Sequence, residues 1–597
     1  MTKKMSSAVV HVWELLEVSL AAEGMYENPY TEVDVWIELK APSFSRRVYG
    51  FWDGDSDFRI RYTAPEPGRY TWISGSNQRD SGLNGIQGEV EVLEWNEKEK
   101  RENPCRRGFI RATENGHAFC YADGTPFFYL ADTWWSTATF RYPWHDDDNP
   151  RPFGSGMGFK DMVQFRKRLD YNGIGIIAAF PTWADDGLPA TLVLEDEHKT
   201  TVRSAWRTNG LSGEWDDGSP AKDMHNEGGR PFFFPGKVPG YEHIVPDFNR
   251  PNPDYFKVLD RKIAYLNEHG FVPFIEAARR DVSQVWKNYY NWPETYGRYI
   301  QYIFARYHAF NTFLSPIHFD YAKNSIPSRE YNQAVNWVVR KYGLPPFGNL
   351  VSTNAGPSTL RNFGSGGDAG WLSFHQIGNW REHDHYWYLT EIYRTEPHLP
   401  GVNGEPYYPG FPDDNPPAPG KDAELNCRSG MYGGFLSGGL GGYFYGAEGM
   451  WGGNIEEEAR YKIWDALSFE SGKQVRFLRD FIFCEGDRYQ NLVPDAELVT
   501  PNKSGDPSGY RGWAWCARTP QKDWLLLYFE KGCPPATIRS LLPDADYEGR
   551  WFNTREGSWM PAEGGMKLRT DDLGRAAVPE YPDSDDWAMS LKLSGRL

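Results

Sequence analysis

At 597 residues the chain is too long for one hydrophobic core, and a prior of roughly 150 residues per domain gives about three or four domains, fewer if one is a barrel. Formal net charge is -17, from 64 basic and 81 acidic residues, and no Lys/Arg-rich run occurs, so the electrostatic footprint of a nucleic-acid or anionic-membrane partner is excluded. Aromatic residues make up 16% of the chain, 25 of them Trp, more flat side chain than packing requires, and the surplus points to carbohydrate or another flat ligand.

The N-terminal run Met1 to His11 carries Lys3 and Lys4 but no apolar h-region, and no apolar run of about 18 residues occurs, so neither export nor a membrane span is expected. Six scattered cysteines (Cys105, Cys120, Cys427, Cys484, Cys516, Cys533) without a C-x-x-C pair fit reduced thiols in a cytoplasm.

Residues 9 to 95 alternate apolar and polar positions, as in Val33 to Leu39 and Phe58 to Tyr62, with turns at Pro65 to Gly68 and near Gly75. That period-two pattern predicts a β-sandwich over 1–98. Asp53-Gly54-Asp55-Ser56-Asp57 is similar to the start of a calcium loop, but Phe58 stands where that loop needs Gly, so a solvated turn is expected.

Over 99–483 short β-branched or aromatic runs alternate with helical stretches. Strands are predicted at 126–131, 174–180, 271–276, 313–319, 349–353, 371–375, 400–405 and 442–446, the count of a closed (β/α)8 TIM barrel. Between them, Tyr255, Leu259, Ile263 and Leu266 share one helical face in 254–269, as do Tyr299, Ile303, Ala305 and Tyr307 roughly in 293–309. A Gly-, Pro-, Asp- and Trp-rich insertion at about 184–250 is read as a wall of the substrate pocket. After Phe483 the alternation returns, predicting a C-terminal β-sandwich over 484–597 and a fold in which two sandwiches flank the barrel.

Side chains just past the barrel strands face the shared pocket. They are Asp132, Trp134 and Trp135 after strand one; Asp185 after two; Glu276 after three; His318 and Asp320 after four; Asn354 after five; His375 and Gln376 after six; Glu405 and Tyr407 after seven; and Tyr445 and Trp451 after eight. Glycoside hydrolysis needs one carboxyl to protonate the leaving oxygen and a second to act as nucleophile or to activate water. Strands four and seven face each other across a barrel, which makes Asp320 the candidate general acid and Glu405 the candidate nucleophile, with Asp132, Asp185 and Glu276 as rival carboxylates. The remaining residues are candidates for substrate binding; aromatic residues supply platforms for sugar faces, and His375 is a candidate donor to substrate or to Glu405. His383-Asp384-His385 shares no helical face and has no further ligand nearby, so neither metal nor cofactor is expected.

These residues and their order carry a resemblance: the chain resembles the apiosidase-like family of (β/α)8 glycoside hydrolases. Val48-Tyr49-Gly50-Phe51-Trp52-Asp53-Gly54, followed by Tyr62 to Pro65 and Gly68 to Trp72, is similar to the sandwich that precedes that barrel. Gly124 to Trp135 looks like its first strand, and Asn252-Pro253-Asp254-Tyr255-Phe256 with Asp260-Arg261-Lys262-Ile263, and Asn403-Gly404-Glu405-Pro406-Tyr407, are further matches. The tail is similar to the small collagen-binding-type sandwich that ends many members. The resemblance implies hydrolysis by an Asp after strand four and a Glu after strand seven, carried here onto Asp320 and Glu405. The chain departs from the family at His318-Phe319-Asp320, where members show a Gly-Asp pair with an upstream Trp, and at Gly175 to Phe180, where they carry an Asn-containing run. With the long insertion, these departures point to a substrate other than apiose-capped pectin side chains. The leading reading is an exo-acting hydrolase that takes a terminal sugar from an oligosaccharide or glycoside, with retention favoured. A polysaccharide lyase, a uronic-acid-specific hydrolase with Arg279 and Arg280 on the carboxylate, and a non-catalytic carbohydrate-binding protein are the alternatives, and a homo-oligomer is left open.

Overall fold

The computed structural model describes residues 10–179, 191–193, 201–203, 225–239, 242, 246–279, 286–287, 289–321, 326–378, 382–411, 416–505, 509–561 and 564–596. Its centre is a ring of parallel strands: β1 (Tyr129–Thr133), β2 (Gly173–Ala179), β3 (Val272–Ala278), β4 (Phe313–Ser315), β5 (Ala355–Gly356), β6 (His375–Ile377), β7 (Gly401–Asn403) and β8 (Gly442–Tyr445). Seven of them form one sheet in the order β4-β3-β2-β1-β8-β7-β6. The segment leading into β5 fills the remaining gap, since Val351 bridges Leu314 on one side and its carbonyl accepts from the Ser373 amide on the other. The expected (β/α)8 barrel is therefore the observed fold.

Bulky side chains plug its N-terminal end. Tyr129, Phe274, Phe313, Phe374, Val402 and Phe444 pack together with Phe119, which comes from a three-stranded sheet (Ile110–Ala112, Phe119–Tyr121, Pro126–Phe127) laid under the barrel. This sheet explains a shift in register. Pro126 and Phe127 belong to it, and Asn172 takes the amide of Leu130 and the carbonyl of Phe128, so β1 begins at Tyr129 rather than 126.

Strand six moves in the same direction. Trp371 leaves the expected strand because its ring is buried and its indole donates to Asn332 at 2.8 Å, so β6 starts at His375 instead of ending there. Strand four is interrupted at Pro316 and resumes as Asp320–Tyr321, which pairs in parallel with Ala355–Gly356.

Around the barrel lie α1 (Phe159–Lys167), α2 (Pro253–Glu268), α3 (Glu294–Tyr307), α4 (Ser328–Tyr342), α5 (Thr359–Phe363), α6 (Trp387–Arg394), α7 (Lys421–Arg428) and α8 (Glu470–Ile482). Helix α2 starts where Pro253 fixes the first turn and Asn252 caps the Asp254 amide, and its buried face carries the expected Tyr255, Leu259, Ile263 and Leu266. Past α7 the chain makes a π-turn at Ser429–Gly433. Its glycines let the helix lie against β7, where the Asn403 amide donates to the Gly430 carbonyl at 3.0 Å.

Five- and three-stranded sheets precede the barrel, and seven- and three-stranded sheets follow it. The first pair meets the barrel through ions. Arg306 on α3 bonds Asp53 at 2.9 Å and Asp260 at 2.7 Å, Arg61 bonds Asp260 at 2.7 Å, and Arg59 bonds Asp53 at 2.6 Å and also Glu17. The turn after Asp53 is thus followed by a strand whose cations lock one domain to the next. On the other side Arg428 forks onto Asp586 at 2.7 and 2.9 Å.

Removing one partner from a buried charge cluster leaves the other uncompensated, at a cost of about 3–5 kcal/mol. Arg306→Met is expected to lose stability of that order in urea unfolding; a loss below about 1 kcal/mol contradicts a structural role for the seam.

Candidate active site

The C-terminal ends of the strands bring a set of polar and aromatic side chains together. Glu405 follows β7 by two residues and is 3% exposed, and Asn354 donates its amide to Glu405 Oε2 at 3.1 Å. Gly378, just past β6, makes this approach possible, since a Cβ there would lie 2.8 Å from Asn354 Oδ1 and 3.1 Å from the Glu405 Cβ.

Across the mouth, Glu276 of β3 meets His318 Nδ1 at 2.5 Å, with both side chains buried. His318 follows β4, where its amide donates to the Ala278 carbonyl. The carboxylate orients the ring, whose face is met by Trp135 at 4.5 Å, edge to face. Trp135 in turn lies 5.9 Å from Trp451 and 6.4 Å from Tyr408. Tyr408 exchanges a hydrogen bond with Thr133 at 3.0 Å and packs its ring on Gly446, while Trp451 donates to Glu448 at 2.8 Å. An oriented carboxylate, a carboxylate–imidazole pair and an aromatic wall therefore share one end of the barrel. That is the end on which (β/α)8 enzymes carry their chemistry.

Residues 113–485 match the model of the apiosidase-like catalytic domain. The chain belongs to the apiosidase-like family of glycoside hydrolases. Residues 9–77 of this hydrolase match a domain of unknown function, DUF5060, and no curated protein matches the chain. Among solved structures it is similar to a Bacteroides vulgatus ATCC 8482 protein assigned as a glycoside hydrolase, at 15% identity and a TM-score of 0.64, covering 98% of this chain and 99% of that one. A glycoside hydrolase family 5 protein of the same organism matches at 15% identity and a TM-score of 0.55, covering 82% of this chain and 94% of that one. At such identity these likenesses speak for the fold.

Within the apiosidase-like barrel the residues singled out in the sequence fall into three groups. Glu405, Asn354, Glu276, His318, Trp135 and Trp451 meet at the mouth. Asp320 joins them by its backbone, paired with Ala355 beside Asn354. Tyr407, two residues after Glu405, is buried and lies 5.7 Å from Tyr510, in the segment before the strand Ala514–Arg518.

Asp132, Trp134 and Tyr445 have inward partners. Asp132 accepts from Arg166 of α1 at 2.6 Å and from the Trp134 indole at 2.8 Å, and all three side chains are fully buried. Tyr445 bonds Ser471 at 2.9 Å beneath the Arg166 guanidinium. The later start of β6 puts His375 and Gln376 on the strand rather than past it. Gln376 reaches Ser352 at 3.3 Å, and burial lowers the His375 pKa to about 4, so the ring is neutral. Asp185, Arg280 and most of the insertion lie outside the described residues.

Four contributors are not among the site residues expected from the sequence: Arg166, Lys262, Gly378 and Tyr408. Lys262 on α2 is fully buried and donates to the carbonyls of Thr137 and Thr139 at 2.6 and 3.1 Å. It thereby holds the end of the short 3-10 turn Trp135–Ala138 that presents Trp135. A signal was available, because Lys262 falls on the apolar stripe of α2 between Leu259 and Leu266, and Arg166 does the same on α1 after Phe159, Met162 and Val163. A cation on such a stripe calls for a buried acceptor.

Burial lowers the Lys262 pKa to about 7, below its unfolded value, so the unfolded chain holds that proton more tightly. The penalty is full below pH 7 and is relieved as the solution becomes more alkaline. Wild-type stability relative to Lys262→Met is expected to rise from pH 7 to about 10 in paired urea titrations; a flat difference contradicts the burial of the ammonium. Gly378→Ala is expected to lower kcat/KM about 10- to 100-fold by displacing Asn354 from Glu405, with unchanged circular dichroism; full activity contradicts the packing argument.

Proposed function

We propose that this enzyme is an exo-acting glycoside hydrolase that releases a terminal sugar from an oligosaccharide or glycoside with retention of configuration, Glu405 acting as nucleophile and Asp320 as general acid and base. The observation that carries the reading is the hydrogen bond from Asn354 to one oxygen of the buried Glu405 carboxylate, at the barrel end walled by Trp135, Tyr408 and Trp451. A buried carboxylate held in place by an amide donor has a fixed position and direction, the requirement for in-line attack at an anomeric carbon.

In the first step Glu405 forms a bond to the anomeric carbon while Asp320 passes a proton to the leaving glycosidic oxygen. In the second, Asp320 takes a proton from water as that water displaces Glu405. Positive charge gathers on the sugar ring in both transition states, and the aromatic wall gives its apolar face a dry surface. The Glu276–His318 pair serves as a rigid rim that seats Trp135. Among the described residues no helix is long and apolar enough to cross a membrane.

Glu405→Gln keeps shape and removes charge, so kcat/KM on aryl glycosides is expected to fall by at least ~10³-fold while ligand binding stays within a few-fold. Asp320→Asn is expected to cost least on substrates with good leaving groups, which need little protonation. Comparable loss of binding in Glu405→Gln, or equal loss on all leaving groups in Asp320→Asn, contradicts the respective role.

A further inference from the structure

A second concave surface lies beside the start of α2, outside the mouth. Its volume is about 440 Å³ in the part against the N-terminal domain and about 760 Å³ in the part formed by the insertion, the two meeting at Gly228. The larger part is lined by His225, Gly228, Gly229, Arg230, Phe232, Phe233, Phe234 and Asn252. Its size falls within the roughly 300–1,000 Å³ of small-molecule sites.

The groove is built on fixed backbone. Asn252, the cap of α2, donates to the carbonyls of Gly228 and Arg230, each at 2.8 Å. Gly228 lies so close to the first turn of α2 that a Cβ would stand 2.1 Å from the Asp254 carbonyl oxygen. Phe232 is 2% exposed and packs on Phe248, Trp286 and Tyr299, while its neighbour Phe233 turns outward and is 39% exposed. Both backbone groups of Phe233 are engaged, its amide with Arg250 and its carbonyl with Asp247, each at 2.9 Å. An aromatic ring held out on a pinned backbone is a platform at little entropic cost.

The groove also shares a wall with the mouth. Asn226 donates to the carbonyls of Ala138 and Tyr255 at 2.9 and 3.0 Å, and Phe140 bonds the His225 carbonyl and stacks on its ring at 4.6 Å. Residues 135 to 140 therefore carry Trp135 toward the pocket at one end and border the groove at the other.

We infer that the Phe233 groove is a second carbohydrate-binding subsite, which takes sugar rings of the same oligosaccharide beyond the bond that is cut. Sugar rings offer a slightly apolar face to a ring such as Phe233. The inference rests on the proposed glycosidase reading for its substrate class and adds that this substrate is a chain rather than a small glycoside.

The experiment compares wild type with Phe233→Ala and Phe233→Tyr on 4-nitrophenyl monoglycosides, which fill the pocket alone, and on longer neutral oligosaccharides with the same terminal sugar. Phe233→Ala is expected to leave monoglycoside kcat/KM within about twofold and to raise KM for the oligosaccharides about five- to tenfold, with Phe233→Tyr close to wild type. Equal loss on both substrate types, or no loss on either, overturns the subsite. Saturation-transfer NMR of the same oligosaccharides separates this from the fate of the catalytic reading. If no glycoside is turned over but sugar contacts disappear in Phe233→Ala, the subsite stands and hydrolysis falls; if contacts survive the substitution, the subsite falls.

Discussion

An aspartate with no access to water has to be matched, and the match of Asp132 by Arg166 decides how strand β1 ends. The pair is 2.6 Å apart and both side chains are fully buried. Because Asp132 also accepts from the Trp134 indole, the residue that follows, Trp135, leaves the strand in one direction. Arg166 meanwhile donates to the Leu467 carbonyl and lies over Tyr445, so β1, β8, α1 and the segment before α8 converge on one guanidinium. Everything at the mouth that depends on Trp135, including its contact with His318, inherits this arrangement. The pair is an expensive way to close a barrel, since desolvating two charges costs several kcal/mol each before their attraction offsets it. What it secures is direction.

Lys262 and Asn226 complete the same device from outside. Their donors meet the carbonyls of Thr137, Thr139 and Ala138, groups that a short 3-10 turn leaves without partners of its own. The turn is thereby fixed at its start by Asp132 and at its end by two donors, one from α2 and one from the insertion. Opposite, Glu405 is fixed by Asn354 and by a strand whose Asn403 is bonded to the glycine-rich helix behind it. Both walls of the pocket thus stand on buried polar contacts, a means of keeping reacting groups within a fraction of an ångström.

Much of this was legible in the sequence. Period-two runs placed the sandwich strands, and eight alternations placed the barrel, because hydrophobic periodicity survives in any chain that must bury one face of each element. Glu405 stood out through its Asn-Gly-Glu-Pro-Tyr setting. Strand ends were less legible: β1 and β6 start three and four residues later than the sequence reading because Asn172 and Trp371, neither unusual in its own window, find partners far along the chain. Asp132 looked like a pocket residue for a related reason. Its position is right for one, and only the fold reveals that Arg166 reaches it from a helix 34 residues on. The cations on the apolar faces of α1 and α2 were the one local hint of that burial.

The proposed mechanism turns on attack of Glu405 at the sugar. Mass spectrometry of the enzyme after inactivation by a 2-deoxy-2-fluoro glycoside with an activated leaving group tests it directly, because the fluorine slows both steps and the activated leaving group restores the first, so the covalent intermediate accumulates. A single sugar adduct is expected, carried by the peptide containing Glu405 and absent from Glu405→Gln. An adduct on Glu276 or on another carboxylate, or inactivation that survives the loss of the Glu405 charge, would contradict it.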